Sequence, residues 1–198
     1  MANFNIQNTN SPAINYSLGL LPQRNQPHLW YQDTSCRSNL TDFSISSENR
    51  RIINKTTDFS HHSTSLAKFN FSPSIQKQLS HWIKTLEWDF PISSVKNIFK
   101  NHIFNTLYVW KNPQEEVVAY GVCLFTTNFS HIAYVFYNPA YNHSNLPIRM
   151  VLQVIIDSQH QGLKYCYLGR NHSSKNGYYK RNMPGYEYYK DKKWVKYK

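Results

Sequence analysis

The C-terminal segment of this sequence mixes cationic and aromatic side chains, a combination that suits binding to a nucleic acid. Lysine and arginine neutralise phosphates, and the interleaved tyrosine and tryptophan rings can stack on unpaired bases. Only Glu187 and Asp191 oppose its cations, which are Lys175, Lys180, Arg181, Lys190, Lys192, Lys193, Lys196 and Lys198. Among them, we predict that Lys192, Lys193 and Lys196 contact an RNA backbone. A solvated, lysine-rich tail whose tyrosines cover the edge of the core would give the same composition.

A second cationic feature is the adjacent pair Arg50 and Arg51. Guanidinium groups make bidentate contacts to phosphate better than ammonium groups do, so this pair can hold the end of a nucleic-acid chain. A solvated, charged turn of a helix is the alternative. The whole chain carries a formal charge of +11, which indicates a polyanionic partner rather than a neutral metabolite.

The cysteines and histidines form no pattern typical of a metal site. Cys36, Cys123 and Cys166 are scattered and lack the C-x-x-C spacing, so we expect ordinary thiols and no bound metal. Cys166 lies in the middle of a predicted strand, where a buried structural thiol is expected rather than a nucleophile. His61 and His62 have no partner at metal-ligand spacing and are predicted to lie in a polar loop.

The elements that position these residues follow from hydrophobic periodicity. Ser72 and Pro73 can open an amphipathic helix, and Ser93 or Ser94 can cap a second one. Runs rich in aromatic and β-branched residues then predict strands at 106–110, 117–125 and 131–137. Because only turn residues separate these strands, they predict an antiparallel meander.

A helix that is apolar almost all round comes next, and it must be buried. Ser144 or Asn145 caps it, Pro147 lies near its first turn, and Gly162 can take the left-handed conformation that ends it. A strand at 163–168 then returns to the sheet. The predicted fold is α+β, with a central, mostly antiparallel sheet flanked by helices. This is the arrangement of a GNAT-like acyltransferase.

The chain is predicted to hold one folded domain at 31–198, ending in the basic, tyrosine-rich segment. Residues 1–30 are nearly uncharged, rich in Asn, Gln, Ser and Pro, and lack a sustained apolar period, so we predict that they are disordered or extended. No apolar run reaches the roughly 18 residues of a membrane span, and no signal peptide is recognisable. We therefore expect a soluble, cytoplasmic protein.

Several segments resemble the C-terminal half of the arginyl-tRNA:protein transferases, enzymes that move an amino acid from its tRNA onto the N-terminus of a protein. The segments are Phe43 to Asn54, Tyr134-Val-Phe-Tyr-Asn-Pro139, Asn145-Leu-Pro147, Gly162-Leu-Lys-Tyr-Cys-Tyr-Leu-Gly169 and Tyr178-Tyr-Lys180. The resemblance covers roughly residues 31–198 and implies a GNAT-like transferase domain. It also implies that the aminoacyl-tRNA is bound by Arg50, Arg51, Asn138, Ser144, Tyr167, Gly169, Tyr179 and Lys180.

The chain departs from this family at several positions. It has no C-x-x-C element of the kind found in the family's cysteine-rich N-terminal region. Asn145-Leu-Pro147 stands where the family has Ser-Leu-Gly, and Arg170 replaces a residue that is usually aromatic. The loop before the buried helix also lacks the glycines with which acetyltransferases bind the pyrophosphate of coenzyme A, and Pro147 removes an N–H donor. These features argue against coenzyme A.

The resemblance therefore predicts an aminoacyl-tRNA-dependent transferase that joins an amino acid, arginine by resemblance, to the amine of a protein or peptide. An aminoacyl ester is already activated, so the reaction needs orientation and a polarised carbonyl but no covalent nucleophile. No cofactor is expected beyond the aminoacyl-tRNA co-substrate, and no catalytic residue is assigned. Two alternatives are a non-catalytic RNA-binding module and an acetyl-CoA-dependent N-acetyltransferase with a degenerate cofactor loop.

Overall fold

The computed structural model describes residues 5–7, 11–100, 102–171 and 178–197, so Lys175 and Lys198 of the C-terminal cations lie outside the described residues. The helices are α1 (Pro12–Ser17), α2 (Ser47–Lys55), α3 (Pro73–Thr85), α4 (Ile92–Lys100) and α5 (Leu146–His160). The strands are β1 (Asn5–Gln7), β2 (Leu20–Pro22), β3 (Leu29–Gln32), β4 (Ser35–Asn39), β5 (Ser60–Ser65), β6 (Thr106–Lys111), β7 (Val117–Phe125), β8 (Phe129–Tyr137), β9 (Tyr165–Arg170), β10 (Tyr186–Lys190) and β11 (Lys193–Lys196). Short 3₁₀ turns lie at Leu40–Asp42, Leu66–Lys68, Pro139–Tyr141 and Tyr178–Asn182.

The main sheet has eight strands in the order β11-β10-β4-β9-β8-β7-β6-β5, and a small sheet has the order β1-β3-β2. Neighbouring strands of the main sheet are antiparallel except for β8 and β9, which run parallel. The predicted α+β class and the meander of β6, β7 and β8 are therefore confirmed. In the described ranges, no helix is long and apolar enough to cross a membrane.

Local signals account for the two long helices. At the start of α3 the Ser72 hydroxyl accepts a hydrogen bond from the Ile75 amide, and Pro73 occupies the first turn. Helix α5 buries residues around most of its circumference, as its apolar sequence predicts, and packs on one face of the sheet. Gly162, with φ of +72°, follows its last turn.

Residues 11–30 differ from the prediction of a disordered or extended segment. They form α1, β2 and the start of β3, and they bury Tyr16, Leu20, Leu21 and Trp30 in the core. The Tyr16 ring contacts the Trp30 ring edge-on and lies 4.7 Å from that of Tyr167, between centroids. Such long-range contacts leave no periodic trace in a short segment.

Two further segments correct the sequence-based expectations. His61 and His62 lie in the edge strand β5, paired with β6, rather than in a loop. The basic C-terminal segment is the hairpin β10–β11, which extends the main sheet through β4. Several of its rings pack inward, since Tyr186 is buried and the Trp194 indole donates a hydrogen bond to the Ser17 carbonyl.

Candidate active site

The sheet opens where β8 and β9 part. Their parallel pairing runs from Phe129 and Tyr165 to His131 and Tyr167, after which the two strands continue without pairing to each other along their described residues. On the other side of β8, its register against β7 shifts at Ala133, so this residue bulges out of the ladder. Strands that separate after a short parallel pairing leave a cleft in the middle of the sheet.

A cavity lies on each face of this cleft. The α5 cavity, on the side of helix α5, has a volume of about 690 Å³, and the Arg24 cavity on the opposite side has about 470 Å³. Ala133, Leu168 and Lys180 line both cavities. The two cavities therefore adjoin at the point where the strands part, and groups bound on opposite faces of the sheet would both lie next to these residues.

Lys180 stands at that junction. Its Nζ donates hydrogen bonds to the carbonyls of Leu168, at 2.7 Å, and Arg170, at 2.8 Å. Both carbonyls belong to the end of β9, so the strand itself fixes the ammonium. Burial lowers the Lys180 pKa, and the nearby Arg170 lowers it further, although the Cys36 thiol acts in the opposite direction.

Gly169 keeps open a small space beside this ammonium. Its φ is +76°, a left-handed conformation that favours glycine. A β-carbon at this position would lie 3.9 Å from Lys180 Nζ and 3.8 Å from His131 Nε2, with no other described atom within 4 Å outside Gly169 and its two chain neighbours. The space is therefore bounded by two nitrogen atoms, and a substrate oxygen placed there would approach both of them.

His131 is a site residue that the sequence reasoning missed. It is 3% exposed, and its Nδ1 lies 2.6 Å from the Tyr16 hydroxyl. Among the described residues, its Nε2 has no hydrogen-bond partner. Burial, helped by the positive charge of Lys180, lowers the His131 pKa to about 3, so the ring is neutral at physiological pH. The only sequence signal was a polar ring in a strand of apolar and aromatic residues.

The Arg24 cavity carries two further cations that the sequence reasoning did not assign to a site. Arg24 lies over the Phe90 ring, with 3.9 Å between the guanidinium carbon and the ring centroid. Arg170 forms an ion pair with Asp33 at the rim. Tyr134 also lines this cavity, and burial raises its pKa to about 12, so its phenol remains protonated. The cavity can thus receive a polar or anionic group.

The α5 cavity has aromatic walls. The rings of Trp88, Tyr137 and Tyr179 line it, and His143 and Asn142 add polar groups. Of the residues that the sequence reasoning assigned to aminoacyl-tRNA, Tyr179 and Lys180 line this cavity. Flat aromatic walls with a few polar groups suit a nucleobase, because any of the bases can stack on such rings.

The N-terminus of α5 is poorly suited to a pyrophosphate. Asn145 precedes the helix with φ of +62°, and the first amide, that of Leu146, already donates to the Ser144 hydroxyl. Pro147 has no amide hydrogen to offer. A helix terminus binds phosphate through free N–H groups. At this terminus Leu146 and Pro147 offer no free N–H group to a phosphate.

Three other predicted residues use their side chains within the protein. The Asn138 carboxamide oxygen accepts a hydrogen bond from the Ala140 amide, and the Ser144 hydroxyl donates to the Tyr141 carbonyl. Tyr167 is buried on the face of the sheet that packs on Tyr16. None of the three is among the described residues that line the two cavities, so their contact with substrate stays a prediction.

Arg50 and Arg51 lie outside the cavities, exposed on α2. Arg51 pairs with Glu48 at 2.5 Å, and Arg50 donates a hydrogen bond to the Ile45 carbonyl. The neighbouring Asn49 donates to the Asn182 carbonyl, which ties α2 to the turn that carries Lys180. The arginine pair is thus on the surface next to the site rather than within it.

Lys192, Lys193 and Lys196 are exposed on the β10–β11 hairpin. Strands β10 and β4 separate β11 from β9, so these lysines do not reach the cleft. Lys196 also forms a surface ion pair with Asp42, at 2.7 Å. Their proposed role is therefore limited to contacts along the body of a large polyanion.

The thiols have no place in the chemistry of the cleft. Cys36, Cys123 and Cys166 are free and buried, as predicted for Cys166. Burial raises the pKa of Cys36 and that of Cys166 to about 11, and it raises that of Cys123 strongly. Within the described residues, no group of three or more His, Cys, Asp or Glu side chains could hold a metal ion.

Comparisons with known proteins give a family and a fold. The family model described as arginine-tRNA-protein transferase, C terminus, matches residues 22–190. A comparison with the curated proteins finds no match. Among solved structures, L-PGS from Bacillus licheniformis has a TM-score of 0.52 at 15% identity, over 84% of this chain and 53% of that protein.

Two proteins with GCN5-related domains are also similar. The glucosamine N-acetyltransferase region of a fungal multi-domain GH3 β-N-acetylglucosaminidase has a TM-score of 0.50 at 14% identity, over 79% of this chain and 19% of that protein. An N-acetyltransferase from Kribbella flavida has a TM-score of 0.42 at 11% identity, over 78% of this chain and 53% of that protein. At these identities the likeness concerns the fold alone, and the glucosamine N-acetyltransferase region, with its TM-score of 0.50, confirms the predicted GNAT-like fold. The chain spans about half the length, 53%, of L-PGS and of the Kribbella protein.

Proposed function

Because the chain belongs to the arginine-tRNA-protein transferase family through the C-terminal region of that family, we propose that it transfers an amino acid from aminoacyl-tRNA to an amine of a protein or peptide. Arginine is the amino acid that the family name suggests. The observation that carries the proposal is the cleft between β8 and β9, with a cavity on each face and Lys180 lining both cavities. Such an arrangement suits a donor ester on one side and an acceptor amine on the other.

We place the donor in the α5 cavity. The terminal nucleoside of the tRNA stacks on the rings of Trp88, Tyr137 and Tyr179, and its ester carbonyl reaches the space beside Gly169. Arg50 and Arg51, exposed on the adjacent helix α2, contact phosphates near that end of the tRNA. Lys192, Lys193 and Lys196 contact the backbone farther away. In this arrangement the aromatic rings bind the base, and the exposed cations bind phosphates.

The acceptor enters from the Arg24 cavity. Its neutral amine attacks the ester carbonyl carbon, a C–N bond forms, and the carbonyl oxygen takes the negative charge of the tetrahedral intermediate. Lys180 donates two of its N–H groups to strand carbonyls, so a third remains for that oxygen. The ester C–O bond then breaks, and the ribose hydroxyl leaves with the proton that the amine loses. No separate cofactor is needed, because the ester supplies the activation.

The chemistry of α5 favours this donor over acetyl-CoA. In the proposed complex no pyrophosphate has to be bound at Leu146 and Pro147, where the free amides required for that purpose are missing. A protein that works on tRNA and other proteins is expected in the cytoplasm.

The proposal is tested by single-turnover transfer. Radiolabelled arginyl-tRNA is mixed with excess protein and a panel of peptides that differ only in the first residue, and labelled peptide is counted. We expect transfer to at least one peptide and a loss of about 10²-fold or more in Lys180→Met, the usual scale for an oxyanion donor. Lys84→Met, which removes an exposed lysine of α3, is the matched control. Absence of labelled peptide across a panel of charged tRNAs would contradict the proposal.

A further inference from the structure

His131 presents its Nε2 atom to the cleft, and this nitrogen makes no hydrogen bond with any described residue. The residue is 3% exposed, lies at the last paired position between β8 and β9, and lines the Arg24 cavity. Its Nε2 is buried without a hydrogen-bond partner among the described residues. A buried polar atom without a partner costs free energy, and at a cleft wall this cost is recovered when a ligand supplies the partner.

The hydrogen bond on the other side of the ring fixes where the proton lies. Tyr16 is fully buried, and burial raises the pKa of its phenol, so the phenol keeps its hydrogen. In the described part of the chain, the only hydrogen-bond partner of that hydroxyl is His131 Nδ1, at 2.6 Å. If Tyr16 donates to Nδ1, a neutral imidazole must carry its own hydrogen on Nε2. The free nitrogen is thus a donor rather than a base.

The donor faces the same space as the Lys180 ammonium. A β-carbon built on Gly169 would lie 3.8 Å from His131 Nε2 and 3.9 Å from Lys180 Nζ, so both nitrogens border one opening that the glycine keeps free. Two donors that converge on a small space, on a rigid strand and a fixed turn, have the form of an oxyanion site.

We propose that His131 is a catalytic residue whose Nε2–H binds the ester carbonyl oxygen together with Lys180, and that Tyr16 is a positioning residue that holds the imidazole in the required tautomer. This role rests on the proposed function. As the acceptor amine adds to the carbonyl carbon, the electron pair of the C=O bond moves to the oxygen, and the two donors stabilise that charge. The electron pair re-forms the C=O bond when the bond to the ribose oxygen breaks. His131 neither gains nor loses a proton.

Three variants separate this role from a structural one. His131→Phe keeps a ring but removes the donor, and we expect a loss of about 10²- to 10³-fold in the single-turnover rate with little change in tRNA affinity. His131→Gln keeps a neutral N–H donor and should retain a rate within about tenfold of wild type. His81→Phe, which changes an exposed histidine of α3, should leave the rate unchanged. Thermal melting of each variant checks that it folds.

A measurement without turnover tests the tautomer. In wild-type protein labelled with ¹⁵N-histidine, nuclear magnetic resonance should show the His131 proton on Nε2, and Tyr16→Phe should weaken that preference. A proton on Nδ1 in the wild type would overturn the proposal even if His131→Phe failed to fold.

The outcomes also separate the role of His131 from the proposed function. A wild type that transfers no amino acid contradicts the proposed function, and the role of His131 with it. A wild type that transfers at its normal rate alongside an equally active, folded His131→Phe overturns only the role of His131.

Discussion

Replacing Gly169 by alanine should separate the stability of the protein from its activity. Gly169 has φ of +76°, so an alanine there is strained, and the left-handed conformation costs about 1 to 2 kcal/mol for an L-residue. Its methyl group would lie 3.8 Å from His131 Nε2 and 3.9 Å from Lys180 Nζ, which are ordinary contact distances. No clash therefore adds to the strain, and the melting temperature should fall by roughly 2 to 8 °C.

The effect on transfer should be much larger than the effect on folding. The methyl group fills the space in which the ester carbonyl oxygen is proposed to lie, and a displacement of about 1 Å at the reacting centre can cost about 10²-fold. Gly162→Ala is the matched control. Gly162 has φ of +72°, and outside its two chain neighbours no described atom lies within 4 Å of the added methyl group; it follows the C-terminal end of α5. This variant carries the same backbone strain without touching the cleft.

The assay is the single-turnover transfer rate, measured beside urea unfolding of both variants. We expect similar losses of stability in the two proteins, with a rate loss of about 10²-fold confined to Gly169→Ala. Equal, near wild-type rates in both variants would refute the placement of the carbonyl oxygen beside Gly169.

Three further predictions concern His131 and the surface cations. The folded-state pKa of His131, about 3, lies below its unfolded value of 6.5, so the unfolded state takes up the proton first and stability is lost as pH falls below about 6.5. Urea unfolding should show that wild type loses about 1.4 kcal/mol more than His131→Gln between pH 8 and pH 5.5, and identical pH dependence would contradict the burial of a neutral imidazole. Arg50→Ala and Arg51→Ala should each lose about 1 to 3 kcal/mol of transition-state stabilisation in transfer with melting temperatures nearly unchanged, because both side chains are exposed; full rates would remove the pair from the substrate-binding residues. Replacing Lys192, Lys193 and Lys196 together by alanine should weaken tRNA binding and lower the salt slope by about one unit for each phosphate that is no longer neutralised, whereas unchanged affinity in a salt titration would place the tRNA on another surface.

Sequence reasoning succeeded where the signal was local. The cap at Ser72 and Pro73, the apolar run of α5 and the turn residues between β6, β7 and β8 are each decided within a few residues, and all three features are present. The order of these elements favoured a GNAT-like fold without deciding it, because many folds share such an α+β order.

The parts that sequence reasoning missed depend on contacts between distant segments. Tyr16 is buried because it meets Tyr167 and His131, which lie more than a hundred residues later and in strands whose pairing no local pattern specifies. The same holds for the C-terminal hairpin, whose basic, tyrosine-rich composition left an RNA-binding segment and a solvated tail as alternatives and did not indicate that Tyr186 pairs with Ser38 of β4. A site at a cleft between two strands brings together residues that are far apart in the sequence, so no local pattern can indicate it.

Of the residues that the family resemblance implies, Lys180 lines both cavities and Gly169 lines the Arg24 cavity, and their contact with substrate stays a prediction. The resemblance gave no signal for His131, because that residue lies outside the short segments that carry the resemblance, the nearest of which begins at Tyr134. The cations of the Arg24 cavity, including Arg170, are likewise visible only once β2, β3 and β9 are brought together.

The choice of acyl donor tests the central claim most directly. Wild-type protein is given either radiolabelled arginyl-tRNA or radiolabelled acetyl-CoA at millimolar concentration, with the same peptide acceptors, and labelled peptide is counted. Melting temperatures are recorded with and without each donor, because a ligand that binds the folded state raises them. We predict labelled peptide from the aminoacyl-tRNA, and neither product nor stabilisation from acetyl-CoA. Acetylated peptide, or a melting temperature raised by acetyl-CoA, with no transfer from any charged tRNA, would contradict the claim.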